Sequence, residues 1–151
     1  MLFSPSHGLL VRGWRRLHLA RRLLADHLLV GLYRESEASE APPVAADWLR
    51  RHFGHERRAP AQLRALARQG LVDMRGEGRV SLTESGREAA AGLLRGHRLW
   101  ETYLHERVGL PADHLHPPAD AVEHYLSPDL QQALSQSLAH PDRDPTGKPI
   151  P

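Results

Sequence analysis

Residues 71–83 read LVDMRGEGRVSLT, and this stretch decides the kind of fold the chain takes. Two short runs on either side of Arg75-Gly76-Glu77-Gly78 mix apolar and polar residues in alternation, and glycine-rich turn chemistry between such runs signals a hairpin. Two short amphipathic patterns precede it. Val44 to Phe53 places Val44, Ala45, Trp48 and Leu49 on one side and stops at Gly54; residues 59–69 turn Leu63, Leu66 and Ala67 inward and stop at Gly70. Helix, helix, hairpin is the order of a winged helix-turn-helix, whose second helix is the one offered to a DNA major groove. The positions expected to face DNA are Arg57, Arg58, Ala59, Ala61, Gln62 and Arg64, with Arg79 in the wing. They suit phosphate and guanine but offer little variety for reading bases. Pro60 is harmless in the first turn of that helix and would kink it further in.

Working outward, Leu17, Ala20, Leu24, Leu28 and Leu32 form one stripe and predict a helix over 15–33, with residues 1–12 as a loop. ESEASEAPP at 35–43 reads as a polar linker. Beyond the hairpin, Thr83 caps a long helix reaching about Arg107, with Leu93, Leu94, Trp100, Tyr103 and Leu104 inward, until Gly109-Leu110-Pro111 breaks it. Short helices are expected at 112–115 and 119–126, and Ser127-Pro128 opens another reaching about Ala139. The tail HPDRDPTGKPIP is expected to be extended, and Trp48, Trp100, Tyr103 and Tyr125 to serve the core. The expected fold is mainly α: a basic helical segment at 1–25, a winged helix-turn-helix at 26–83, an all-helical unit at 84–140 and a tail at 141–151.

Composition narrows the function. Apolar residues make up 40% and charged residues 25% of the 151, as in ordinary globular chains. No run reaches the roughly 18 apolar residues of a membrane span, and arginines interrupt the apolar runs near the start where a signal peptide would lie. The absence of Cys rules out thiolate metal sites and fits a reducing cytosol. A formal charge of +2 says little, but its distribution does. Arg crowds residues 12–22 and 50–68, whereas more than half of the eleven His lie at or beyond His97 among carboxylates. That half suits metals held by nitrogen and oxygen. No nucleophile or glycine-rich phosphate loop accompanies it, so neither an enzyme nor a small-molecule substrate is expected.

Two sets carry the metal chemistry. His97 and Glu101, four apart on one helix, project from one face. Asp120, Glu123 and His124 share a face of another helix at i, i+3 and i+4, with His116 at its entry. A lone His–Glu pair at this spacing is ordinarily a surface ion pair. Two such sets within 28 residues make a cation site as good a reading as surface ion pairing, with a carboxylate-rich donor set leaning towards Mn(II) or Fe(II) while leaving Co(II), Ni(II) and Zn(II) open. Every ligand must be deprotonated, so affinity is expected to fall as imidazoles protonate below about pH 6.5.

These residues carry a resemblance. HRLWETYLHERVGL, DHLHPPADAVEHYLSPDL and DPTGKPIP resemble the metal-binding and dimerisation domain of the iron- and manganese-dependent repressor family, and LVDMRGEGRVSLTESGREAA resembles its wing and linking helix. The resemblance implies a cytoplasmic homodimer whose binding to a double-stranded DNA operator is activated by a divalent metal, with Mn(II) favoured. It assigns His97, Glu101 and His116 to an ancillary site and Asp120, Glu123 and His124 to a primary site. The remaining primary ligand, two turns before a Tyr, falls on His27 by counting back from Tyr33. LFSPSHGLLVRGWRR resembles instead the cytoplasmic end of manganese/zinc-type transporter permeases. Arg12, Arg15, Arg16, Arg21 and Arg22 fit an anionic membrane surface or DNA phosphate equally. The alternative reading is therefore a regulatory domain associated with a membrane transporter, without DNA.

Overall fold

A computed structural model describes residues 6–39, 41–54, 56–115, 122 and 125–151, with the backbone alone for 6–17 and 75. The architecture is mainly helical with one two-stranded sheet. Helix α1 (Ser6–Ala38) is followed by α2 (Ala45–Phe53), α3 (Ala59–Arg68), the hairpin β1 (Val72–Arg75) and β2 (Arg79–Leu82), α4 (Glu84–Tyr103) and α5 (Pro128–Ser137). No described helix is long and apolar enough to cross a membrane.

α1 departs from expectation. Residues 6–12 are helical rather than looped, and the helix runs on to Ala38, through the first part of the expected linker. Leu, Arg and Ala are good helix formers, and they outweigh Gly8 and Gly13. From Leu28 onwards the stripe is buried: Leu28, Leu29 and Leu32 pack with Trp48, Leu63, Leu66, Val72, Val80 and Ala90 into one core. Trp48 has no exposure at all, and sealing a side chain of that size contributes a few kcal/mol, about 25 cal/mol per Å² of apolar surface. His18 to Arg22, by contrast, are all exposed, so this stretch of α1 stands clear of the core.

The hairpin is antiparallel, with Val72 opposite Leu82 and Met74 opposite Val80. Its turn holds Glu77 in the left-handed region at φ 64°. The rest of the linker supplies a short third edge: Val44 bridges Arg79, and Val80 N donates to Pro43 O at 3.0 Å. Pro60 lies in the first turn of α3, where its missing N–H costs no helical bond.

The junction from hairpin to α4 is tight. Thr83 Oγ1 accepts from Gly86 N at 3.1 Å and donates to Gly70 O at 2.6 Å. A Cβ on Gly86 would lie 1.8 Å from Leu71 O, so only glycine lets α4 start this close to β1. After Tyr103 the chain widens into a π-helical turn, Leu104–Val108, and Gly109 stops it at φ 78°. The expected turn at 112–115 is a 3-10 helix, Ala112–His114, and of the expected helix at 119–126 only Val122, Tyr125 and Leu126 are among the described residues. Ser127 Oγ caps α5 by accepting from Leu130 N at 3.3 Å. Tyr125 is 63% exposed, so it does not serve the core.

The tail is not extended. Asp144 N donates to Lys148 O at 2.9 Å, Ile150 N to Asp142 O at 2.8 Å, and Arg143 bridges Pro149, which folds 142–150 into a small antiparallel loop.

Candidate metal centre

α4 presents the two candidate ligands that the structure brings together. His97 and Glu101 lie one turn apart, with Nε2 3.1 Å from Oε1 and side chains only 3% and 1% exposed. This is not the ordinary surface pair. α4 is enclosed at this level: Leu94, Gly96, His97, Arg98, Leu99, Glu101 and Thr102 are all buried. Gly96 makes room for α5, whose Gln131 would lie 3.0 Å from a Cβ there; Gln131 Nε2 donates to Gly92 O and Leu126 O.

The donor chemistry fits a divalent cation. Adjacent ligands each about 2.1 Å from a metal and near a right angle to one another are about 3.0 Å apart, and the imidazole nitrogen and carboxylate oxygen are separated by nearly that distance. Burial keeps water from competing, and charge compensation in a buried site favours a cation held by a carboxylate.

The other candidates divide in two. His27 sits on α1, exposed, immediately before the buried Leu28. His116, Asp120, Glu123 and His124 lie outside the described residues, and among the described residues no group of three or more His, Asp or Glu forms a metal cluster.

The arginine positions form a separate surface. Arg57, Arg58 and Arg64 are exposed around the start of α3, with Arg64 Nε donating to Pro60 O at 3.2 Å. Gln62 is half-buried and lines a groove between α3 and α1, together with Arg21, Arg22, Asp26 and Gln69. Arg79 is held within the hairpin region, by Pro42 O at 2.9 Å and Glu77 at 3.8 Å. Ala59, expected to face DNA, is buried instead because the start of α3 packs on the core.

Sequence reasoning gave no role to Arg95, Arg98 and Asp144. Arg98 and Asp144 are buried and pair with each other. The available signal was an arginine in the middle of an enclosed apolar helix, which requires a counter-charge.

Residues 83–151 match the family described as the iron dependent repressor metal binding and dimerisation domain. A probable metal transport system membrane protein of Chlamydia trachomatis is 32% identical along the whole chain, which spans 34% of that relative. The iron-dependent repressor IdeR of Mycobacterium tuberculosis is 38% identical over 86 residues, covering 57% of the chain and 37% of the relative. Among solved structures, a manganese-dependent transcriptional repressor in complex with manganese superimposes with a TM-score of 0.75 at 38% identity, over 84% of this chain and 58% of that one. The chain thus spans about a third of the length of the curated relatives it matches. Residues 83–151 thus carry the metal binding and dimerisation domain of the iron dependent repressor family, and over 84% of its length the chain shares the fold of a manganese-dependent transcriptional repressor.

Proposed function

We propose that this chain is a homodimeric metal sensor, not an enzyme, in which a divalent transition metal, Mn(II) above others, activates a winged helix-turn-helix for operator binding. The observation that carries the reading is the buried His97–Glu101 pair at 3.1 Å on α4, a pair whose geometry suits adjacent ligands of one cation. The solved repressor with manganese, 38% identical over 84% of this chain, supports it.

In this reading His97, Glu101 and His116 hold one cation, and His27, Asp120, Glu123 and His124 hold the activating one. The metal supplies charge neutralisation among carboxylates that otherwise repel each other. α1 contributes both His27 and the core stripe Leu28, Leu29 and Leu32. Recruiting His27 therefore sets the angle between α1 and the metal-binding helices, and with it the attitude of α3; the cation selects one arrangement among those the dimer already samples. Arg57, Arg58 and Arg64 then meet phosphate, Gln62 lies at the margin of the α1 groove, and Arg79 acts from the wing.

A mobility-shift titration against the DNA upstream of the chain's own coding sequence, with and without Mn(II), tests the reading. A metal-dependent shift supports it, and metal binding without any shift refutes the DNA output. That result would favour the second reading, a cytosolic regulatory domain of a metal transporter. One observation speaks for it: the transport-system membrane protein matches the entire chain, α1 included, whereas the repressor IdeR matches 57%.

A further inference from the structure

The tail is fastened to the same stretch of α4 that carries the candidate ligands. Arg98 follows His97 directly and precedes Glu101 by three residues. Its guanidinium meets Asp144 Oδ2 at 3.7 Å, with side chains 5% and 1% exposed, and its Nη1 also donates to Pro149 O. Asp144 organises the loop from inside: Oδ1 accepts from Thr146 N at 2.8 Å, Thr146 Oγ1 at 2.7 Å and Lys148 N at 3.0 Å. One turn earlier on α4, Arg95 donates to Pro151 O at 2.7 Å and to Ser135 Oγ of α5 at 3.3 Å.

We infer that residues 141–151 are a working part of the metal centre, with Arg98 and Asp144 as positioning residues for His97 and Glu101. The inference rests on the reading of that pair as ligands. A helix turn is stiff, so the position of the Arg98 backbone sets that of the residues one before and three after it. The tail thus occupies one side of α4 while the ligand pair works from another. Asp144 has a second effect, because it neutralises a buried arginine only one residue from a cation ligand. Without it, an uncompensated positive charge stays beside the place where a divalent cation is to sit, and a buried pair broken on one side is costly. Coupling of this kind is reciprocal: if docking of the tail favours the metal, the metal must favour docking of the tail.

The test uses the full chain and hydrogen exchange of the peptide spanning 141–151, followed with and without Mn(II), beside calorimetric titration. In the unaltered chain Mn(II) is expected to slow exchange of the Thr146, Lys148 and Ile150 amides by tenfold or more. Asp144→Asn, which keeps the side-chain shape, is expected to bind Mn(II) at least tenfold more weakly, and His97→Ala to lose the metal-dependent protection of the tail. A purely structural tail would exchange at the same rate with and without metal. That result in a chain that binds Mn(II) overturns the inference alone and leaves the ligand reading standing. Failure of the unaltered chain to bind Mn(II) overturns both. The exchange measurement needs no variant, so instability of Asp144→Asn cannot hide the answer.

Discussion

Replacing Gly86 with Ala should destabilise the protein, although in most helices that exchange stabilises. In an open first turn Ala is preferred to Gly by about 0.5–1 kcal/mol. At Gly86 the added Cβ would lie 1.8 Å from Leu71 O and 2.8 Å from Leu71 C. Ordinary van der Waals contact begins near 3.4 Å, so α4 and the entry to β1 must separate by more than an ångström. That movement strains Thr83 N to Leu71 O at 3.1 Å and Thr83 Oγ1 to Gly70 O at 2.6 Å. Overpacking of this kind costs about 1–3 kcal/mol, and each weakened hydrogen bond adds about 1 kcal/mol. After subtracting the propensity gain, a loss of about 2–4 kcal/mol remains, equivalent to roughly 5–15 °C in Tm for a chain of this size. Gly92 of the same helix is the control, since a Cβ there meets nothing within 4 Å; Gly92→Ala should stabilise by about 0.5–1 kcal/mol. Urea melts of the two variants beside the unaltered chain decide the matter. Equal effects of the same sign would refute the argument that α4 is seated by backbone contact with β1.

Three further outcomes are expected. Glu101→Gln should retain the fold but bind Mn(II) about a hundredfold more weakly, so that stabilisation by a metal excess of about 1,000 Kd falls from about 4 to about 1.4 kcal/mol in thermal melts; an unchanged metal-induced rise in Tm would remove Glu101 from the ligand set. Glu77→Gly should raise stability by about 1 kcal/mol in denaturant titrations, because φ 64° strains every residue but glycine, and a loss would show that the Glu77–Arg79 contact at 3.8 Å outweighs that strain. Arg58→Ala with Arg64→Ala should lower the slope of log affinity against log salt by about 2 in a DNA anisotropy titration, one counterion per phosphate contact; a parallel line would take α3 off the DNA.

Local chemistry made much of the fold readable before any coordinates. The hairpin, the stop at Gly54 and the caps Thr83 and Ser127 all depend on residues within about four positions of one another, where side chain and backbone bond directly. The spacing of His97 and Glu101 likewise placed them on one face. What sequence left open depended on neighbours far along the chain. Nothing local distinguishes an exposed His–Glu pair from a buried one; the burial of this stretch of α4 in the folded chain encloses the pair. Ala59 belongs to the core and Tyr125 to the surface for the same reason, since amphipathic spacing gives a face but not what covers it. The tail shows the limit most clearly. Prolines at 141, 145, 149 and 151 argue for an extended strand, yet Asp144 folds it and Arg98, 46 residues earlier in the numbering, holds it down. A charge excluded from water must find its partner wherever the fold places it, and that pairing is decided only in three dimensions.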